Sequence, residues 1–193
     1  MKKLEQVYRE ILYRAMEQRQ KRMTQSELSR ALGISLSIVN LAVAKLSTIG
    51  AVRVERRSFA VIDTKKILYL WASVRNIEKD IVYKARVEMP VREIERAMPD
   101  VLYAAYTAYK LRFNDVPADY SEVYVYAAED EIGEIKKRMK GGEGMPNLFV
   151  LKKDTNLENY GKTGTLAQIF VDLWNMKEWY AAEFVKAMET RLQ

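Results

Sequence analysis

The sequence predicts an α+β protein in two parts, and three observations carry that prediction. Residues 24–62 switch from helical to strand-type apolar spacing around two glycines and an arginine pair. Beyond Pro90, short β-branched and aromatic runs alternate with helical stretches, which at these lengths means a small α/β or α+β domain. Charge divides at the same place. Residues 1–62 hold 12 Lys+Arg against 5 Asp+Glu, whereas residues 63–193 hold 20 against 21. The net positive charge therefore sits entirely in the first third of the chain.

The first helix is expected over residues 2–20. Leu4, Val7, Ile11, Leu12, Ala15 and Met16 repeat at helical spacing, and Glu5–Arg9 or Glu10–Arg14 pairs are one turn apart. Tyr8 and Tyr13 add an excess stripe suited to a dimer contact. Lys21-Arg22 follow as a linker placed to touch phosphates. Thr24 then precedes Gln25-Ser26-Glu27, the pattern of a capping box, and Leu28, Ala31 and Leu32 form an apolar stripe. Gly33 ends that helix, Ile34 turns inward, and Ser35 is the expected N-cap of the next one. There Val39, Ala42, Val43, Leu46 and Ile49 share one face. Ser37, Asn40, Leu41, Ala44, Lys45 and Thr48 share the other. After Gly50, Val52 and Val54 alternate with Arg53 and Glu55, Arg56-Arg57 make a turn, and Phe59, Val61 and Ile62 return.

A boundary is expected at 63/64. Asp63 or Thr64 caps a helix to about Asn76 carrying Ile67, Leu68, Leu70, Trp71 and Val74, and residues 80–87 make a strand. Residues 90–97 form a helix with proline in its first turn, ended by Pro99. A strand at 101–103, a helix at 104–112 and a loop at 114–121 lead into the strand 122–127. A helix at 129–140, a glycine turn at 141–144 and a strand at 147–151 follow. Thr165 caps a closing helical pair, 166–176 and 177–192.

Composition excludes much. Without cysteine or histidine there are no disulfides, thiolate nucleophiles or His-based triads, and most zinc chemistry is removed. No run of about 18 apolar residues is present to span a bilayer. Met1-Lys2-Lys3 leads into an amphipathic segment rather than a signal peptide, so a cytoplasmic location is expected. No cofactor is expected.

Helix, Gly-Ile-Ser, helix, Gly, strand, basic turn, strand over residues 24–62 resembles the winged helix-turn-helix family of DNA-binding domains. The resemblance implies a double-stranded DNA partner and a dimer matched to two half-sites. It puts Ser37, Asn40, Leu41, Ala44 and Lys45 toward the major groove, with Asn40 the best base reader because its amide can give and accept at an adenine edge. Ser35 would bond a phosphate near the positive end of its helix. Arg53, Arg56 and Arg57 would lie on the wing against the backbone or in the minor groove.

Residues 64–193 resemble the nucleotidyltransferase-like domain of the abortive-infection (AbiE-type) antitoxin regulators, which also carry an N-terminal winged helix. The likeness rests on two stretches. Val101 to Ala127 contains the small-residue helix Ala104, Ala105, Ala108 and the strand Val123-Tyr124-Val125-Tyr126. Ala167 to Asn175 is followed by Trp179-Tyr180-Ala181-Ala182-Glu183-Phe184. An active transferase of that fold needs a Gly-Ser turn for phosphates and paired acids for Mg²⁺. Here those positions read Ala105-Tyr106-Thr107 and Glu122-Val123-Tyr124. A degenerate, non-enzymatic domain is the expectation, and the resemblance implies an autoregulating antitoxin opposite a toxin partner. Two alternatives stand beside it: a transferase using other acids, and a protein-interaction module with Leu41 in an apolar patch. Gly161-Lys162-Thr163 mimics the end of a phosphate loop but lacks the earlier glycine. The acids Asp115, Asp119, Glu122, Asp130 and Glu131 lack a metal-binding spacing. The tyrosines from Tyr103 to Tyr126 read as core or interface residues, with base stacking the alternative.

Overall fold

A computed structural model describes residues 1–192 and resolves into two compact units. Met1–Arg75 with Thr165–Val171 make the first; Asn76–Gly164 and the chain from Asp172 on make the second. Each contains helices and its own sheet, so the α+β class holds. The division comes after Arg75 rather than at the expected 63/64, because the helix between those points packs with the N-terminal segment.

In the first unit, α1 (Lys3–Met16) buries Val7, Ile11, Leu12 and Ala15 as its periodicity predicts. It stops short of residue 20, and the chain turns back through Arg19 at φ 58°. Tyr8 is 1% exposed, so it belongs to the core and not to a dimer stripe. α2 (Gln25–Leu32) starts on the expected capping box: Glu27 N–H donates to Thr24 Oγ1 at 3.1 Å, and Thr24 N–H to Glu27 Oε2 at 3.0 Å. Gly33 is left-handed at φ 61°, and Ile34 is buried behind it. α3 (Leu36–Thr48) buries Val39, Ala42, Val43 and Leu46. Ile49, expected on that face, is 36% exposed, since the helix has already ended and the apolar stripe no longer steers it.

Three antiparallel strands complete this unit in the order β1-β3-β2: β1 (Arg22–Met23), β2 (Val52–Val54) and β3 (Phe59–Val61). Phe59 and Met23 anchor the inner face. β1 replaces the expected linker. α4 (Thr64–Val74) is capped by Asp63, whose Oδ1 accepts from Lys66 N–H at 3.0 Å. Its Ile67, Leu68 and Trp71 are buried, and Val74 at its end is exposed. Trp71 Nε1 and Arg75 Nη1 donate to Glu5 Oε2 at 3.4 and 3.5 Å. Glu5 thus ties α1 to α4, while Glu10 and Arg14 make the expected one-turn pair at 2.6 Å. Removing a fully buried ring such as Trp71 costs about 3–5 kcal/mol. α8 (Leu166–Trp174) opens here, with Thr165 Oγ1 accepting from Gln168 N–H at 3.0 Å as expected of a cap.

The second unit is built on a four-stranded sheet, β4 (Ile81–Ala85), β7 (Leu148–Lys152), β6 (Val123–Ala127) and β5 (Leu102–Ala104), in that spatial order. The central β6–β7 pair is parallel and both flanking pairs are antiparallel. Both faces are covered, so β6 is buried along its whole length. Val123, Val125, Leu148 and Val150 point to the face holding Ile94 of α5 (Val91–Ala97) and Ile135 of α7 (Glu129–Arg138). Tyr124, Tyr126, Phe149 and Leu151 point the other way by the alternation of strands. There the rings of Tyr106 on α6 (Ala105–Phe113) and Phe184 on α9 (Ala181–Arg191) meet with centroids 5.0 Å apart. The closing helices are shorter than expected, with a turn between Trp174 and Ala181.

Candidate nucleic-acid interface

The sequence-predicted residues on α3 occupy its outer face. Ser37, Asn40, Leu41, Ala44 and Lys45 are all exposed, because the opposite stripe is consumed by the core. Leu41 is 50% exposed, and so is Leu36 at the helix start. Asn40 Nδ2 donates to Gln25 Oε1 at 3.2 Å, so the first residue of α2 sets how the Asn40 amide is presented. The reading of residue types did not single out Gln25. Its signal was its position, in the first turn of the preceding helix, where a long polar side chain can reach the middle of the next.

Ser35 corrects an expectation. It stands at the N-terminal boundary of α3 with extended backbone, φ −58° and ψ 144°, but makes no side-chain cap bond. Its hydroxyl instead lies 3.1 Å from that of Ser37. Neighbouring hydroxyls compete with the helix N–H groups for one another.

On the hairpin, Arg53, Arg56 and Arg57 are exposed. Pairing places Arg22 and Arg53 on either side of Ala60, so the three share one face of the small sheet. Arg22 and Arg53 are 67% and 69% exposed at their side chains. Glu55 stands among them, 2.9 Å from Arg22 Nη2 and 4.0 Å from Arg53 Nη2, and accepts from Ser58 Oγ at 2.9 Å. Exposed pairs of this kind add little stability, but they aim the guanidinium groups.

The second unit gathers tyrosines around carboxylates. Tyr106 and Tyr124 donate to the two oxygens of Glu178 at 2.9 and 3.2 Å. Tyr180 donates to Glu122, and Tyr126 to Asp172 at 2.7 Å. Tyr120 donates to Glu95 at 2.6 Å, alongside Thr107 at 2.9 Å and Lys110 at 2.5 Å. Burial, and then the Glu178 carboxylate, raise the Tyr106 and Tyr124 hydroxyls well above the ordinary value. Burial and the bond to Glu122 push Tyr180 up to about 12. These rings pack on one another, Tyr106 against Tyr120 at 5.4 Å and Tyr124 against Phe149 at 4.6 Å, which removes most of the ring faces a base would need.

Asp115, Glu131 and Lys162 have partners elsewhere. Asp115 bonds Arg191 at 2.7 Å, which holds its carboxyl below the usual range. Glu131 accepts from Ala128 N–H at 2.6 Å and pairs with Lys153 at 2.8 Å. Lys162 pairs with Asp100 at 3.0 Å, and its loop follows a 3-10 turn rather than a strand. Among the described residues no three Asp or Glu side chains group as a metal site. At the position where the resemblance expects Gly-Ser, Ala105 is buried at φ 47°, a left-handed alanine between β5 and α6.

Compared with family models, with curated proteins and with solved structures, the chain matches none.

Proposed function

We propose that the first unit is a winged helix-turn-helix that binds double-stranded DNA and makes this chain a transcription regulator. One observation carries the reading: the outer face of α3 and the arginines of the β2–β3 hairpin are exposed on the segment that holds all the net positive charge. α3 enters the major groove. Asn40, oriented by Gln25, reads an adenine edge, while Leu36 and Leu41 meet thymine methyl groups. The first turn of α3, uncapped by any side chain, offers its N–H groups with Ser35 to a phosphate. Arg53, Arg56, Arg57 and Arg22 engage the backbone beside the groove. As such readers commonly do, two copies bind two half-sites.

The sequence resemblance of residues 65–193 to AbiE-type regulators extends the proposal to an autoregulating antitoxin. Selection of bound duplexes from a random pool tests DNA recognition. Enrichment of a defined, adenine-containing motif supports it, and recovery of unenriched sequence would count against it. Growth rescue when the chain is expressed with its neighbouring gene tests the antitoxin role.

A further inference from the structure

We propose that the cleft between α5 and α6 binds the phosphate group of a small phosphorylated molecule. The cleft has a volume of about 290 Å³, near the lower end of small-molecule sites at roughly 300 Å³. Arg92, Arg96 and Lys110 contribute three cations to its lining against a single carboxylate, Glu95.

That carboxylate is already committed. Its Oε1 accepts from Thr107 and Tyr120, and its Oε2 pairs with Lys110 at 2.5 Å. Glu95 therefore fixes the floor of the cleft and offsets Lys110. Arg92 and Arg96 are left as two guanidinium groups one turn apart on the same side of α5. Like charges at that spacing repel, a cost that a bound anion would relieve. Both are exposed, and among the described residues neither is seen in an ion pair. Guanidinium forks match tetrahedral oxyanions, and two of them balance a phosphate dianion. Tyr103, whose hydroxyl donates to the Glu95 carbonyl at 2.6 Å, and Leu111 form an apolar wall for the body of the ligand. Residues 63–193 carry 20 Lys+Arg against 21 Asp+Glu, without the basic excess that holds a nucleic-acid backbone, which favours a small molecule.

Calorimetric titration of the full chain with inorganic phosphate and with adenosine monophosphate, at physiological salt, tests this. Saturable binding is expected, weakened roughly tenfold or more in Arg92→Gln/Arg96→Gln by loss of two charge-assisted contacts. The surface control Lys137→Gln/Lys140→Gln is expected to bind like the parent. A tighter grip on the ester than on free phosphate identifies an organic phosphate, and equal affinity identifies phosphate itself. No saturable binding of either probe overturns the proposal, as does equal loss in the control. Reduced DNA affinity of the arginine variant without binding of either small phosphate also overturns it, assigning the cleft to nucleic acid instead. DNA affinity is measured separately, and the calorimetric titration itself contains no DNA, so phosphate binding can succeed or fail whatever becomes of the DNA-binding reading.

Discussion

In the proposed DNA reader, recognition would turn on the Asn40–Gln25 pair. Neither is buried, so Asn40→Ala should leave stability within about 0.5 kcal/mol of the parent. It should cost about 1–3 kcal/mol of discrimination at one base position, measured by competition between matched and single-mismatch duplexes. Gln25→Ala should reduce the same discrimination less, since it frees the amide without removing it. The tyrosines make a different prediction. A hydroxyl whose folded pKa lies above its unfolded value of 10.0 stabilises fully below that value, and the stability is lost as pH climbs toward the folded pKa. With Tyr180 at about 12 and Tyr106, Tyr120 and Tyr124 also raised, the thermal midpoint should fall steadily above pH ~10. Tyrosinate absorbance for these rings should appear with unfolding and not before it. Ionisation of all twelve tyrosines in a still-folded chain would contradict that.

The elements show why some of the fold was readable and some was not. Caps are local. Thr24 with Glu27 and Gly33 could be read because their partners lie within five residues, and the structure keeps both. Thr24→Ala should cost about 1 kcal/mol in denaturant unfolding. Gly33→Ala should cost roughly 1–2 kcal/mol, from left-handed strain alone, since an added Cβ there meets nothing within 4 Å. Ala105 already bears such strain at φ 47°. Ala105→Gly should be within about 1 kcal/mol of neutral, because relieved strain is offset by the lost methyl burial and the freer unfolded chain. What escaped the sequence was long-range. β1 is two residues long and exists only because Ala60 and Phe59 pair with it. Glu5 met Arg75 across 70 positions, and Tyr106 found Glu178 across 72. Ser35 looked like a cap by residue type, but a second hydroxyl at Ser37 claimed it. The outer face of α3 was legible because helical periodicity assigns both faces at once. The row from Arg22 to Arg53 required the strand register.

At the scale of the whole molecule, the charge asymmetry separates two kinds of work. The N-terminal segment carries the net positive charge that the proposed regulator would use to draw a polyanion, and the remainder is close to neutral. In the second unit, the partly buried tyrosine–carboxylate bonds match hydroxyl donors to Glu95, Glu122, Glu178 and Asp172, the last of them fully buried. The proposed function requires the hairpin and α3 to neutralise DNA phosphates. Fluorescence anisotropy with a duplex from upstream of its own gene, repeated across a salt series, tests it most directly. The parent should bind tightly at low salt, with log K falling linearly against log salt at a slope of about −0.9 for each phosphate neutralised. Arg56→Glu/Arg57→Glu should bind more weakly and with a slope shallower by about 2. Absence of binding at low salt, or the same affinity and slope in parent and variant, would contradict the account.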